Sequence, residues 1–258
     1  MGPRPVSLRL TDENLRHSRC STQRCCRFMA TVCHVTADEV NEWIKALSER
    51  MAATGASALD SRVEHCPDWS VADLLMHIGD VQWFWSEVVG RRARTRDEVV
   101  RDREHLQRGA PIDWFRSQSL RLVHALHEAR DDESVWTWWE PSQNVGFVRR
   151  RQLIEVAVHG WDAENAAGRV EPIPLPVAAI GVTEFAEVMS LDLRQGTDPS
   201  PVRVVSLDAD IDVTLFPAPG RAVLVLEASA SELILTLWGR RAILDPHIAE
   251  SLASVDLS

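Results

Sequence analysis

Apolar residues recur at helical spacing through the first two thirds of the chain, and the pattern then changes to alternation. Val40, Trp43, Ile44, Leu47 and Met51 share one helical face and predict a helix over 37–54. Ser70, with Asp73 three positions on, has the form of a capping box and starts a second helix near 71. Its stripe is Leu74, Ile78, Val81, Trp85 and Val88, and it closes near Gly90. Phe115, Leu122, Val123 and Leu126 predict a third helix over 112–130, after a charge run over 91–103 that reads as a solvated loop or helix end. A connection rich in aromatics, Trp136-Thr137-Trp138-Trp139, leads to a fourth helix over 148–167 that stops at Gly168.

Four amphipathic helices in succession predict a four-helix bundle over 37–168. Three prolines over 170–176 mark a linker, assigned to 169–176. Beyond it a helix is expected over 178–193 and alternating strands over 202–207, 211–216 and 222–227. Ser229 and Glu232 then cap a helix running to Trp238, ended by Gly239. The expected architecture is thus a helical bundle followed by a small α+β domain at 177–258.

The apolar share of 45% and charged share of 26% are those of globular proteins and exclude wholesale disorder. No apolar run approaches the roughly 18 residues of a membrane span. A net charge of −10 disfavours nonspecific binding to nucleic acid or to an anionic membrane. Five cysteines are too few for a disulfide scaffold, and the reducing cytoplasm is the expected compartment. Four of them, Cys20, Cys25, Cys26 and Cys33, crowd into a polar, Arg-rich segment over 1–36 that matches no zinc spacing. That segment has no apolar centre of the signal-peptide kind and reads as a disordered leader, with Met29 a candidate start. Two packed domains need no partner to complete a core, so a monomer is expected.

The fourth helix carries the chemistry. Leu153-Ile154-Glu155-Val156-Ala157-Val158-His159 is apolar around most of its circumference, which marks a buried helix. Glu155 and His159, at i and i+4, share a face. A carboxylate in such surroundings needs a cationic partner, either a basic side chain or a metal. His77 lies within the stripe of the second helix, and bundles build metal sites from facing helices. Two histidines and a glutamate form a recurrent catalytic zinc set that leaves one position open. A buried Glu–Arg or Glu–His pair answers the same cost. His124 and His127 border the third stripe and are expected at solvent, and His65, His105 and His247 have no partner pattern. Trp136, Trp138 and Trp139 are expected to pack rather than to line a cleft.

Cys66-Pro67-Asp68-Trp69-Ser70-Val71-Ala72-Asp73-Leu74-Leu75-Met76-His77-Ile78-Gly79 resembles the Cys-Pro-Gly-Trp-(Thr/Ser)-Val-x-Asp-Leu-x-x-His-(Leu/Ile)-Gly signature of the mycothiol-dependent maleylpyruvate isomerase family. Glu155-Val156-Ala157-Val158-His159-Gly160-Trp161-Asp162-Ala163 is similar to its second signature, Glu-x-x-x-His-x-Trp-Asp-Ala. The terminal Leu237-Trp238-Gly239-Arg240 resembles the end of its C-terminal domain. The resemblance implies a DinB-like bundle binding zinc, or another divalent metal, through His77, Glu155 and His159. It implies that Arg240 helps catalysis from the second domain and that mycothiol is the thiol cosubstrate. Asp68 departs from the family's glycine, and the leader has no counterpart.

The activity so implied is attack by a metal-activated thiol, giving cis–trans isomerisation of an enoyl acid such as maleylpyruvate or S-transfer to an electrophile. Arg240 would hold a substrate carboxylate bidentately. Asp80 and Asp162 each follow a proposed ligand histidine by three positions and are candidates to orient it. A zinc hydrolase using metal-bound water, and a non-catalytic binding module, are the competing readings.

Overall fold

The computed structural model describes residues 35–101 and 108–257; the leader cysteines and His105 lie outside them. Two compact units divide the described chain, one over Thr36–Ile173 and the other from Pro174 onward. The N-terminal unit has four long helices: α1 (Ala37–Gly55), α2 (Val71–Arg91), α3 (Pro111–His127) and α4 (Val145–Ala166). A single helical turn, Asp97–Val100, interrupts the charge run after α2. That run is anchored rather than wholly solvated, because Ala93 and Val99 are buried.

Local chemistry fixes the ends of these helices. Thr36 and Glu39 close a capping box on α1, and Ser70 and Asp73 close another on α2. α3 begins with Pro111, whose missing N–H costs nothing at the first helical position. Asn144 caps α4 by accepting from the Phe147 amide at 2.9 Å.

Packing pairs α2 chiefly with α3, and α1 with α4. Gly79 allows the first contact: a Cβ there would stand 2.5 Å from Cδ1 of Trp114. The core between helices is made by Met51, Val63, Leu74, Leu75, Ile78, Phe115 and Val156. Arg149, on the first turns of α4, is buried and makes four hydrogen bonds. They go to Asp131 Oδ1 at 2.8 Å, Asn41 Oδ1 at 2.5 Å, and the Leu126 and Ala129 carbonyls at 3.2 and 3.0 Å. Glu164, near the other end of α4, is held by the guanidinium of Arg50 on α1. The aromatic connection packs as expected: Trp136 stacks on Trp85 with centroids 5.9 Å apart, and Trp138 meets Phe147 edge-on.

The C-terminal unit begins with α5 (Leu175–Glu187), followed by a 3₁₀ turn at Met189–Leu191. The expected linker therefore ends earlier than its prolines suggest. Pro174 is the N-cap and Pro176 lies in the first turn, where proline starts a helix. Strands β1 (Val202–Ser206), β2 (Asp212–Leu215) and β3 (Leu224–Ala228) form a sheet of order β2-β1-β3. β1 pairs antiparallel with β2, placing Val204 opposite Val213, and parallel with β3, placing Val204 opposite Leu226. Helix α6 (Ala230–Leu237) packs against α5 and also touches β1 and β3. A final helix, α7 (Pro246–Leu252), was not expected; Asp245 caps it by accepting from the His247 and Ile248 amides. The fold is the helical bundle followed by an α+β unit that the pattern predicts.

Candidate metal centre

Two helices of the bundle and the loop before α2 bring the donors together. His77, Glu155 and His159 each offer one ligand atom, and these atoms lie within 4.8 Å of one another. The His77 and His159 rings meet edge-on with centroids 5.8 Å apart, and the Trp69 ring packs on His77 with centroids 4.7 Å apart. Glu155 Oε1 stands 3.5 Å from Nε2 of His159.

Neighbouring side chains orient each donor on α4. Asp162, almost wholly buried, faces Nδ1 of His159 at 3.0 Å. A carboxylate there places the ring proton on Nδ1 and leaves Nε2 toward Glu155 and His77. Arg151, one turn before Glu155, donates from Nη2 to Oε2 at 3.0 Å and so occupies one carboxylate oxygen. The other oxygen, Oε1, faces the histidines.

The electrostatics favour a cation. Burial works against charge on Glu155, but the hydrogen bond with His159 and the nearby Arg151, His159 and His77 outweigh it, holding its carboxyl at about 2. Burial likewise opposes charge on His159, yet hydrogen bonds to Asp162 and Glu155 raise its imidazole to about 9. Two carboxylates thus converge on one imidazole and hold positive charge on it. The same field, with two imidazoles and a carboxylate as donors, fits a divalent ion. A set of this composition could hold one with a coordination position to spare.

Other expected candidates are placed elsewhere. Asp80 forms a bidentate pair with Arg108 at 2.7 and 2.8 Å and accepts from Trp114 Nε1 at 3.1 Å. It ties α2 to α3, whereas Asp162 faces His159. Arg240 follows α6 in the C-terminal unit, where Nη1 donates to the Trp238 carbonyl at 2.6 Å. His124 and His247 are exposed, and exposed His127 stands 3.5 Å from Asp38. Asp68 adopts no left-handed backbone, so its replacement of the family's glycine carries no strain of that kind.

Residues 40–164 match the family model of the mycothiol maleylpyruvate isomerase N-terminal domain. The bundle belongs to this family. Two solved structures share the fold across both units: the mycothiol-dependent maleylpyruvate isomerase, at TM-score 0.57 and 16% identity, and a histidine-to-alanine mutant of it, at 0.59 and 15%. Each comparison covers 81% of this chain and 92% of the other. No curated protein matches the chain in sequence.

In this mycothiol maleylpyruvate isomerase N-terminal domain, three residues around the donors escaped the sequence reading. Arg151 had a usable signal, its i−4 spacing from Glu155. Cys66 lies with His159 and Asp162 in a second group whose donor atoms fall within 4.8 Å. His65, expected to be without a partner, places Nδ1 3.7 Å from Asp162 Oδ1 and packs its ring on Trp161. No spacing rule announces these two, because the α1–α2 loop meets α4 only through the tertiary fold.

Proposed function

We propose that the protein is a metal- and mycothiol-dependent isomerase that converts a cis-enoyl acid such as maleylpyruvate to its trans form. Its metal ligands are His77, Glu155 and His159. The observation that carries this reading is the convergence of those three side chains from α2 and α4 to within 4.8 Å. When bound, the ion acts as a Lewis acid that favours the thiolate form of a small-molecule thiol.

The chain's own residues prepare the site. Asp162 fixes the His159 tautomer, so that Nε2 is the donor without a ring-flip beforehand. Arg151 restrains Glu155 and balances part of its charge, which lets a buried carboxylate stay ionised. Trp69 closes one side of His77 with an aromatic wall. Pre-set donors of this kind reduce the ordering needed when ligands arrive. Arg240 remains the expected anchor for a substrate carboxylate.

The test is turnover of maleylpyruvate and of a generic electrophile, each with and without mycothiol and before and after treatment with a chelator. Isomerisation that needs both the thiol and the metal is expected. Conjugation of the electrophile without isomerisation would reassign the protein as an S-transferase. Activity that survives complete metal removal would overturn the reading. Arg240→Lys is expected to lower turnover while metal content stays unchanged; an unaffected rate would remove Arg240 from the reaction.

A further inference from the structure

His159 is shared by two donor groups, and the carboxylates of the two groups face different nitrogens of its ring. Nε2 faces Glu155 at 3.5 Å, whereas Nδ1 faces Asp162 at 3.0 Å. On the Asp162 side stands Cys66, whose sulfur, with one atom each from His159 and Asp162, completes a group within 4.8 Å. Donors around a tetrahedral ion with bonds of about 2.0–2.3 Å are separated by roughly 3.3–3.8 Å. Small side-chain rotations therefore suffice to close this group on an ion.

The loop holds the thiol in place. The Cys66 amide donates to the Val63 carbonyl at 3.2 Å, and the Cys66 carbonyl accepts from the Trp69 amide at 2.8 Å. The Val63 amide in turn donates to the Trp69 carbonyl at 3.0 Å, tying both ends of the loop together. A second observation points at the same place. Nδ1 of His65 is buried, makes no hydrogen bond, and lies 3.7 Å from Asp162 Oδ1. A buried ring nitrogen without a hydrogen bond, beside a carboxylate, is the kind of group that a bound cation explains.

We propose that Cys66, Asp162 and Nδ1 of His159 form a second cation position, selective for a thiophilic ion, with His65 as a neighbouring fourth donor. Thiolate sulfur prefers soft ions, whereas the His77–Glu155 side offers only nitrogen and oxygen. On binding, bonds from the metal to the Cys66 sulfur and to Nδ1 of His159 form, and the thiol proton and the Nδ1 proton both leave to solvent. Such an ion takes the nitrogen that Asp162 otherwise fixes, so it disturbs the orientation of His159 toward the first position. The inference shares His159 with the proposed function but uses neither His77 nor Glu155.

The experiment titrates zinc-loaded, full-length protein with Cd²⁺, in a background where Cys20, Cys25, Cys26 and Cys33 are replaced by serine. The ultraviolet charge-transfer band of a cadmium–thiolate bond is followed. A band that saturates at one thiolate per chain is expected. It is lost with Cys66→Ser, an exchange of sulfur for oxygen, and needs at least about tenfold more Cd²⁺ in Asp162→Asn. It persists in His77→Ala, which removes a ligand of the first position only; this separates the two readings. Absence of the band, or a band that ignores both Asp162→Asn and His159→Ala, overturns the proposal.

Discussion

Asp80 on α2 and Asp162 on α4 occupy equivalent places, each three residues after a histidine of the donor group, yet they do different work. Asp80 meets Arg108 and Trp114 and joins two helices. Asp162 meets His159 and His65 and sets the aim of a donor. The difference lies in what stands opposite. α2 presses against α3 at Gly79, so the next residue reaches an indole and a guanidinium. α4 at Asp162 faces the α1–α2 loop, which supplies a histidine and a thiol. Spacing puts a carboxylate within reach of a turn of helix; the neighbouring element decides its use.

The sharpest way to break this comparison is at the histidine itself. His159→Ala is expected to abolish metal retention and thiol-dependent turnover together, read by metal analysis and a rate assay. Activity persisting without metal would separate the donor group from catalysis. Next, Asp162→Asn is expected to weaken metal binding by about 10–100-fold while unfolding changes little, measured by competition with a chromophoric chelator. The matched change, Asp80→Asn, is expected to do the reverse. It should cost about 1–2 kcal/mol in denaturant unfolding, discounted for partial exposure of the pair, and leave metal affinity alone. If the two substitutions gave the same profile, the division between them would fail.

The smallest effect is expected at the start of α2. The Ser70 hydroxyl and then its amide, both donating to Asp73, hold that carboxyl below its ordinary 3.8. The contribution is present above the unfolded value and disappears as pH falls through the lower folded one. Denaturation midpoints from about pH 5 downward should therefore show an acid-side loss that Asp73→Asn removes. An identical slope in the variant would show that the cap does not couple to stability.

Much of this was legible before any coordinates. The helical stripes, with the capping box at Ser70 and Asp73 for α2, mark the bundle helices in the sequence, because periodicity and caps act within a few residues. His77, Glu155 and His159 stood out because polar groups interrupt apolar faces. The start of α5 was hidden since its prolines read equally as a linker and as a helix N-terminus, and buried Ile173 decides between them only in three dimensions. Cys66 and His65 were hidden for a different reason. Their place beside α4 depends on how the α1–α2 loop packs against a helix far on in the sequence, a tertiary meeting that no local pattern encodes.

Arg149 gives α4 a fulcrum. Its guanidinium is gripped from α1, from the end of α3 and from the segment beyond it, so the helix keeps its bearing from its first turns. Glu155 and His159 begin about two turns downstream. Side chains at that far end can be exchanged for other chemistries while the peg stays seated, which makes this helix a rod on which new reactions can be tried without recasting the bundle.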